Sequence, residues 1–108
     1  MAVQVQVERR GSMVLARLEG EMDLESSPLL RQRLDDEIAA GGQHMILDMA
    51  GVTFLDSSGL GVILGRYRRI KEVGGDLAIA QPPPPIRRVL EVSGILSIVP
   101  VRGSGEAL

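Results

Sequence analysis

The sequence predicts a single α/β domain over residues 1–108, built on a mixed, mostly parallel sheet with an antiparallel N-terminal edge and helices largely on one side. Three observations predict it. Residues 2–8 alternate apolar and polar strictly, and a second apolar run follows a short turn, which makes an antiparallel pair. Three later stretches carry apolar residues at helical spacing. Between and after them stand short, nearly continuous apolar runs of the kind found inside a sheet. The order β-β-α-β-α-β-α-β then needs helical crossovers, the usual way to join parallel strands.

Each element has a local cause. Strands are expected near 3–7 and 13–18, joined by the turn Arg9-Arg10-Gly11-Ser12. Gly20-Glu21-Met22-Asp23 leads into Ser26-Ser27-Pro28, where proline suits a first helical turn and a serine before it can cap. The first helix is expected near 27–40, with Leu29, Leu30, Leu34 and Ile38 inward and Gly41-Gly42 as its stop. Met45-Ile46-Leu47-Asp48-Met49 reads as an inner strand, and Ala50 to Leu55 as a loop. A second helix near 58–73 would bury Leu60, Ile63, Leu64, Tyr67 and Ile70, while Arg66, Arg68, Arg69 and Lys71 face water. Leu77 to Ala80 forms another buried strand, and a third helix near 84–92 turns Ile86, Val89 and Leu90 inward. Ser93-Gly94 stops it, and Ile95 to Val101 supplies the last strand.

Composition removes whole classes of function. Without cysteine there is no disulfide framework, thiolate metal site or cysteine nucleophile. One histidine, His44, cannot build a multi-histidine metal centre. It begins a strand and reads as a solvated edge residue. Acids exceed bases by 14 to 12, so nucleic acid is not the expected partner. Tyr67 and Phe54 are the only aromatics, too few for a base-stacking platform. No apolar run approaches the roughly 20 residues that span a bilayer, and no signal peptide opens the chain, so a cytoplasmic protein without membrane partners is expected.

Asp56-Ser57-Ser58-Gly59-Leu60-Gly61 holds the most chemistry. It opens a helix, where backbone N–H groups lack intrahelical partners and the dipole favours negative charge. Asp56, Ser57 and Ser58 can cap those donors, which alone would explain them. Gly59 and Gly61 leave room for a phosphate or another backbone to approach. The spacing is not that of a phosphate-binding P-loop, and the G-x-S-x-G signature of a serine hydrolase is absent. Glu19, Glu21, Asp23 and Glu25 form an acidic cluster before the first helix, either as favourable charge near a helix start or as a patch for a basic partner. The run Pro82 to Pro85 reads as a stiff lead into a helix, and the basic face of the second helix as a solvated surface.

Phe54 to Tyr67, with Asp56-Ser57-Ser58-Gly59-Leu60-Gly61 at its heart, resembles the signature of the STAS domain in bacterial anti-sigma factor antagonists, most nearly those of the sporulation sigma-factor F system. Gly20-Glu21-Met22-Asp23 resembles that family's G-E-[LM]-D segment, and Arg87 to Gly94 its third-helix region. The likeness covers about residues 5 to 100. It implies a binding protein and not an enzyme. Its unphosphorylated form would bind an anti-sigma factor that is also a serine kinase, releasing the sigma factor. The kinase would bring ATP and Mg²⁺ and phosphorylate the motif's second serine, Ser58, and a PP2C-type phosphatase would reverse it. Gly20, Glu21, Asp23, Asp56, Ser57, Gly59, Leu60 and Gly61 carry over as the partner-binding surface. The chain itself would need no cofactor or metal. The same fold also serves as a scaffold or sensory component of stressosome-like or transporter-associated complexes, the alternative reading.

The resemblance sets further expectations. Ser58 should expose its hydroxyl while Ser57 is more enclosed and bonds locally. Two departures stand out. Relatives usually continue into a long C-terminal helix, where this chain has only Arg102 to Leu108, and Pro83 replaces a capping side chain before the third helix.

Overall fold

The computed structural model describes residues 3–103. Strands β1 (Gln4–Arg10) and β2 (Met13–Met22) form the antiparallel hairpin; helix α1 (Ser27–Ala39) follows. Then come β3 (His44–Leu55), α2 (Ser57–Glu72), β4 (Asp76–Ala80), α3 (Pro84–Ser93), a 3₁₀ turn (Ile95–Ser97) and β5 (Val101–Arg102). The sheet order is β1-β2-β3-β4-β5, with β1 antiparallel to β2 and every later pair parallel. This is the expected mixed sheet with β1 at its edge.

Register decides where the core lies. Val14 stands beside Met45 and Met45 beside Leu77; Ala16 beside Leu47 and Leu47 beside Ile79. These residues share one face, because side chains alternate along a strand. They form one apolar cluster with Leu30, Leu34 and Ile38 of α1, Val62, Ile63 and Ile70 of α2, and Ile86 and Leu90 of α3. Burying each such leucine or isoleucine stabilises the fold by about 1.5–3 kcal/mol. The opposite face carries the row Leu15, Ile46 and Ala78 among polar neighbours. Arg9 clips the hairpin to the end of α1: its guanidinium donates to Glu37 O at 3.1 Å, Glu37 Oε1 at 2.9 Å and Ala40 O at 2.6 Å. It thereby satisfies the Ala40 carbonyl that the helix end leaves open and adds a second donor to the Glu37 carbonyl, which already accepts the Gly42 N–H.

Several expectations need correction. Residues 50–55 are strand and not loop. β3 runs to Leu55 because two register shifts against β2, at Arg17/Glu19 and Gly20/Glu21, absorb extra residues as bulges. β2 likewise extends to Met22. Leu29 is 56% exposed, since α1 turns Leu30, Leu34 and Ile38 inward at a spacing of four and Leu29 falls off that stripe. No serine side chain caps α1. In α2 the fully covered positions include Gly59 and Val62, while Leu60, Leu64 and Tyr67 flank the core half-buried. Arg66 does not face water but lies against α1, 2.9 Å from Asp35 Oδ1. Ile95 to Val101 is mostly not strand: the αL conformation of Gly94 (φ 83°) starts a 3₁₀ turn, and β5 holds only two residues. Pro83 gives α3 no side-chain cap, as expected. The expectation for the C-terminus falls mostly on residues 104–108, outside the described residues.

Candidate functional site

Parallel β2 and β3 end side by side, and both ends feed helix starts. Glu21 pairs with Phe54 and Met22 with Leu55, and Asp56 N–H donates to Met22 O at 3.3 Å. The Gly20–Asp23 segment and the Asp56–Gly61 turn therefore lie together at one end of the sheet. Gly20 is buried with φ 97°, a value that favours glycine, where β2 meets the second bulge of β3.

Asp56 caps α2 from an extended conformation (φ −115°), and its Oδ1 accepts the N–H of Ser58 at 2.9 Å and of Gly59 at 3.3 Å. Two of the open donors at the helix start are thus already taken by a carboxylate. Neither Ser57 nor Ser58 makes a hydroxyl hydrogen bond to another described residue, so Ser57 does not bond locally as expected. The expected exposure is also reversed: Ser57 is exposed and Ser58 half-buried. A Cβ at Gly59 would stand 2.7 Å from Met22 O, 2.9 Å from Met22 Cβ and 2.6 Å from Leu55 Cδ1. The helix start packs onto the end of β2 at Gly59, the residue next to half-buried Ser58 and two from exposed Ser57.

The two glycines of the motif therefore differ. Gly59 is buried against Met22 and Leu55, so its missing side chain serves internal packing. At Gly61 a Cβ would meet no atom within 4 Å, so only this glycine leaves open surface, beside half-buried Leu60.

The acidic segment is ordered by its own side chains. Asp23 Oδ1 accepts the Ser26 N–H at 2.9 Å, and Ser26 Oγ accepts the Asp23 N–H at 3.1 Å. Ser26 Oγ also donates to Glu21 O at 2.7 Å, and Ser27 Oγ to Asp23 O at 2.6 Å. The N–H received from Ser26 holds the Asp23 carboxyl below the ordinary aspartate range. Ser26 and Ser27 are buried by these contacts, so they shape the loop where the sequence suggested a helix cap.

Apolar side chains at this end escaped the sequence reading. Leu24 is 75% exposed in the β2–α1 loop, Leu29 follows in the first turn of α1, and Phe54 is 45% exposed at the second bulge. The signal for Leu29 was present, because it breaks the 30-34-38 spacing. Phe54 gave none, since its outward aim follows from the bulge.

Among the described residues no free general base is placed at the serines: the Asp56 carboxylate is engaged as a cap, and His44 lies at the opposite end of β3, 3.6 Å from Asp76. Among the described residues no group of three or more His, Asp or Glu side chains could hold a metal ion. Among them, too, no helix is long and apolar enough to cross a membrane.

Comparison with known proteins agrees with this geometry. Residues 4–107 match the STAS domain family. The chain is 38% identical to an anti-sigma F factor antagonist of Paenibacillus polymyxa over 94% of its own length and 87% of the relative's. It is similar to the solved structure of the anti-sigma factor antagonist SpoIIAA in its unphosphorylated form, with TM-score 0.81 and 29% identity over 94% of this chain and 90% of that one. The phosphorylated form of SpoIIAA, described as a Bacillus cell fate determinant, matches with TM-score 0.73 and 29% identity over 94% and 93% of the two chains.

Proposed function

Because the chain belongs to the STAS domain family, we propose that it is an anti-sigma factor antagonist switched by phosphorylation of Ser58. In this reading the unphosphorylated protein binds an anti-sigma factor that is also a serine kinase, and the sigma factor is released. The observation that carries it is Ser58 itself: a hydroxyl with no hydrogen-bond partner among the described residues, at the second position of a capped helix whose start adjoins the end of β2 and its acidic loop.

Without a local base, Ser58 is a weak nucleophile, so the partner supplies the base, Mg²⁺ and ATP. Its Oγ attacks the γ-phosphorus, ADP leaves, and the hydroxyl proton passes to the partner's base. A PP2C-type phosphatase returns the serine by hydrolysis. The chain contributes a binding surface and the acceptor, not catalysis.

The cap explains why one phosphate suffices. It adds roughly −1.5 to −2 charges. At most helix starts free N–H groups would absorb that charge. Here the N–H groups of Ser58 and Gly59 already point at Asp56, so phosphate and carboxylate compete for the same donors. The charge stays uncompensated on a surface that also carries Glu21, Asp23 and Glu25. Losing tenfold in affinity takes only about 1.4 kcal/mol, which needs no refolding.

The test is incubation with a purified partner kinase with and without ATP, followed by phosphopeptide mapping and measurement of the complex. Phosphate on Ser58 and release in ATP are expected, with Ser58→Ala remaining bound. Phosphate mapped to the more exposed Ser57, or release of a well-folded Ser58→Ala in ATP, would overturn the assignment.

A further inference from the structure

Away from the serines, α1 and α2 pack side by side across an unbalanced set of charges. Arg66 of α2 is 12% exposed and lies 2.9 Å from Asp35 Oδ1; Arg69 Nη1 lies 2.8 Å from the same oxygen. Arg31, exposed on α1, is close enough to repel Arg66, as does Arg69. Burial is the larger influence, and together they hold the Arg66 guanidinium below the ordinary arginine range. Two guanidinium groups thus share one carboxylate oxygen, and Arg31, four residues before Asp35 on α1, adds a third positive charge nearby.

The sharing is also poorly directed. Arg66 Nε and Nη1 are buried without a hydrogen-bond acceptor, and Asp35 Oδ1 receives no directed hydrogen bond. The 2.9 Å separation is that of an ion pair, but the Nε–H is not aimed at the oxygen. A buried donor left unmade costs about 1–3 kcal/mol, more when it is charged. Such a group calls for a partner that the protein alone does not supply.

We propose that Arg31, Arg66 and Arg69 form a binding site for a phosphate-class oxyanion, free or as a monoester. The forked, planar donors of arginine match tetrahedral oxyanions and can each give two parallel hydrogen bonds. The anion enters from the side of exposed Arg31 and Arg69 and draws the Arg66 fork toward it. Asp35 both holds the cluster together in the free protein and competes with the ligand. The site is separate from the serines: Arg66 stands eight residues beyond Ser58, about 12 Å along the helix axis. It is independent of the function proposed for Ser58.

The test follows the Arg66 Nε–Hε resonance of the full chain during titration with inorganic phosphate near neutral pH, with chloride keeping ionic strength constant. A saturable shift is expected. Arg31→Gln and Arg69→Gln should each weaken it about tenfold, which is about 1.4 kcal/mol. Both residues are exposed on the helix surfaces, so the variants should fold. Asp35→Asn should tighten binding several-fold by removing the competitor. Arg68→Gln, an exposed cation on the same helix outside the cluster, should leave it unchanged. A parallel titration with O-phosphoserine separates the sources: a shift with the ester alone assigns the site to a phosphorylated side chain, and a shift with both assigns it to the oxyanion itself. No saturable shift with either probe overturns the proposal. So does a shift that Arg68→Gln abolishes equally, or one that Asp35→Asn fails to strengthen.

Discussion

Replacing the two motif glycines by alanine should move stability in opposite directions. At Gly59 the new methyl would press on Met22 O at 2.7 Å, Met22 Cβ at 2.9 Å and Leu55 Cδ1 at 2.6 Å. Leu55 can rotate its side chain, but the Met22 backbone is fixed, since its carbonyl accepts the Asp56 N–H and it is paired with Leu55. Overpacking of this kind costs about 1–3 kcal/mol. The helix preference of alanine returns up to about 1 kcal/mol at interior positions and less at the helix start. Gly59→Ala should therefore lose about 1–2 kcal/mol. At Gly61 nothing lies within 4 Å of the new methyl, so Gly61→Ala should gain up to about 1 kcal/mol. For a domain this size each kcal/mol moves Tm by about 4–8 °C, so a gap of about 1–3 kcal/mol should separate the two variants by about 4–24 °C. Thermal and urea unfolding followed by far-UV circular dichroism measures this. A Gly59→Ala protein as stable as the parent would show that the α2–β2 contact yields easily, and the account of Gly59 would be wrong. If Gly61→Ala is more stable yet binds the partner less well, the open surface at Gly61 belongs to the interface.

Further outcomes follow from single contacts. Asp56→Ala removes the acceptor for the Ser58 and Gly59 N–H groups and should cost about 0.5–2 kcal/mol, with faster amide exchange at both residues; unchanged exchange would contradict the cap. Arg9→Ala breaks three hydrogen bonds between the hairpin and the end of α1 and should cost about 1–3 kcal/mol in urea unfolding, with Arg9→Lys recovering only part. Asp23 has a folded pKa below its unfolded value, so its contribution is present above about pH 4 and disappears as pH falls through the folded pKa. The stability gap between the parent and Asp23→Ala should narrow over that window, and a gap that stays constant would refute the role of its charge. Asp23→Lys should destabilise the β2–α1 loop as well as alter binding, because Asp23 Oδ1 holds the Ser26 N–H. The charge of exposed Glu25 is the cleaner probe of salt-dependent association.

The sequence by itself determined the fold class and singled out the motif proposed as the switch. Alternation in β1, the apolar runs at Met45 to Met49 and Leu77 to Ala80, and the helical spacing at 30-34-38 are local patterns that only a mixed sheet with crossover helices can bury. The motif around Ser58 was legible because capping residues and glycines act within a few positions of one another. What the tertiary structure decided depends on contacts between segments far apart in the chain. Whether Ala50 to Leu55 is loop or strand was settled by bulges that form only against β2. Those bulges turn Phe54 outward and bring the acidic segment beside the serines. Gly59 and Gly61 look alike in sequence, and only the approach of Met22 and Leu55 separates a packing glycine from an open one. Arg66 reads as a solvated cation on its own helix and becomes half-buried only when α1 brings Asp35 and Arg31 against it. Periodicity within one segment can assign a face to a residue, but what occupies that face is decided by the segment packed across from it.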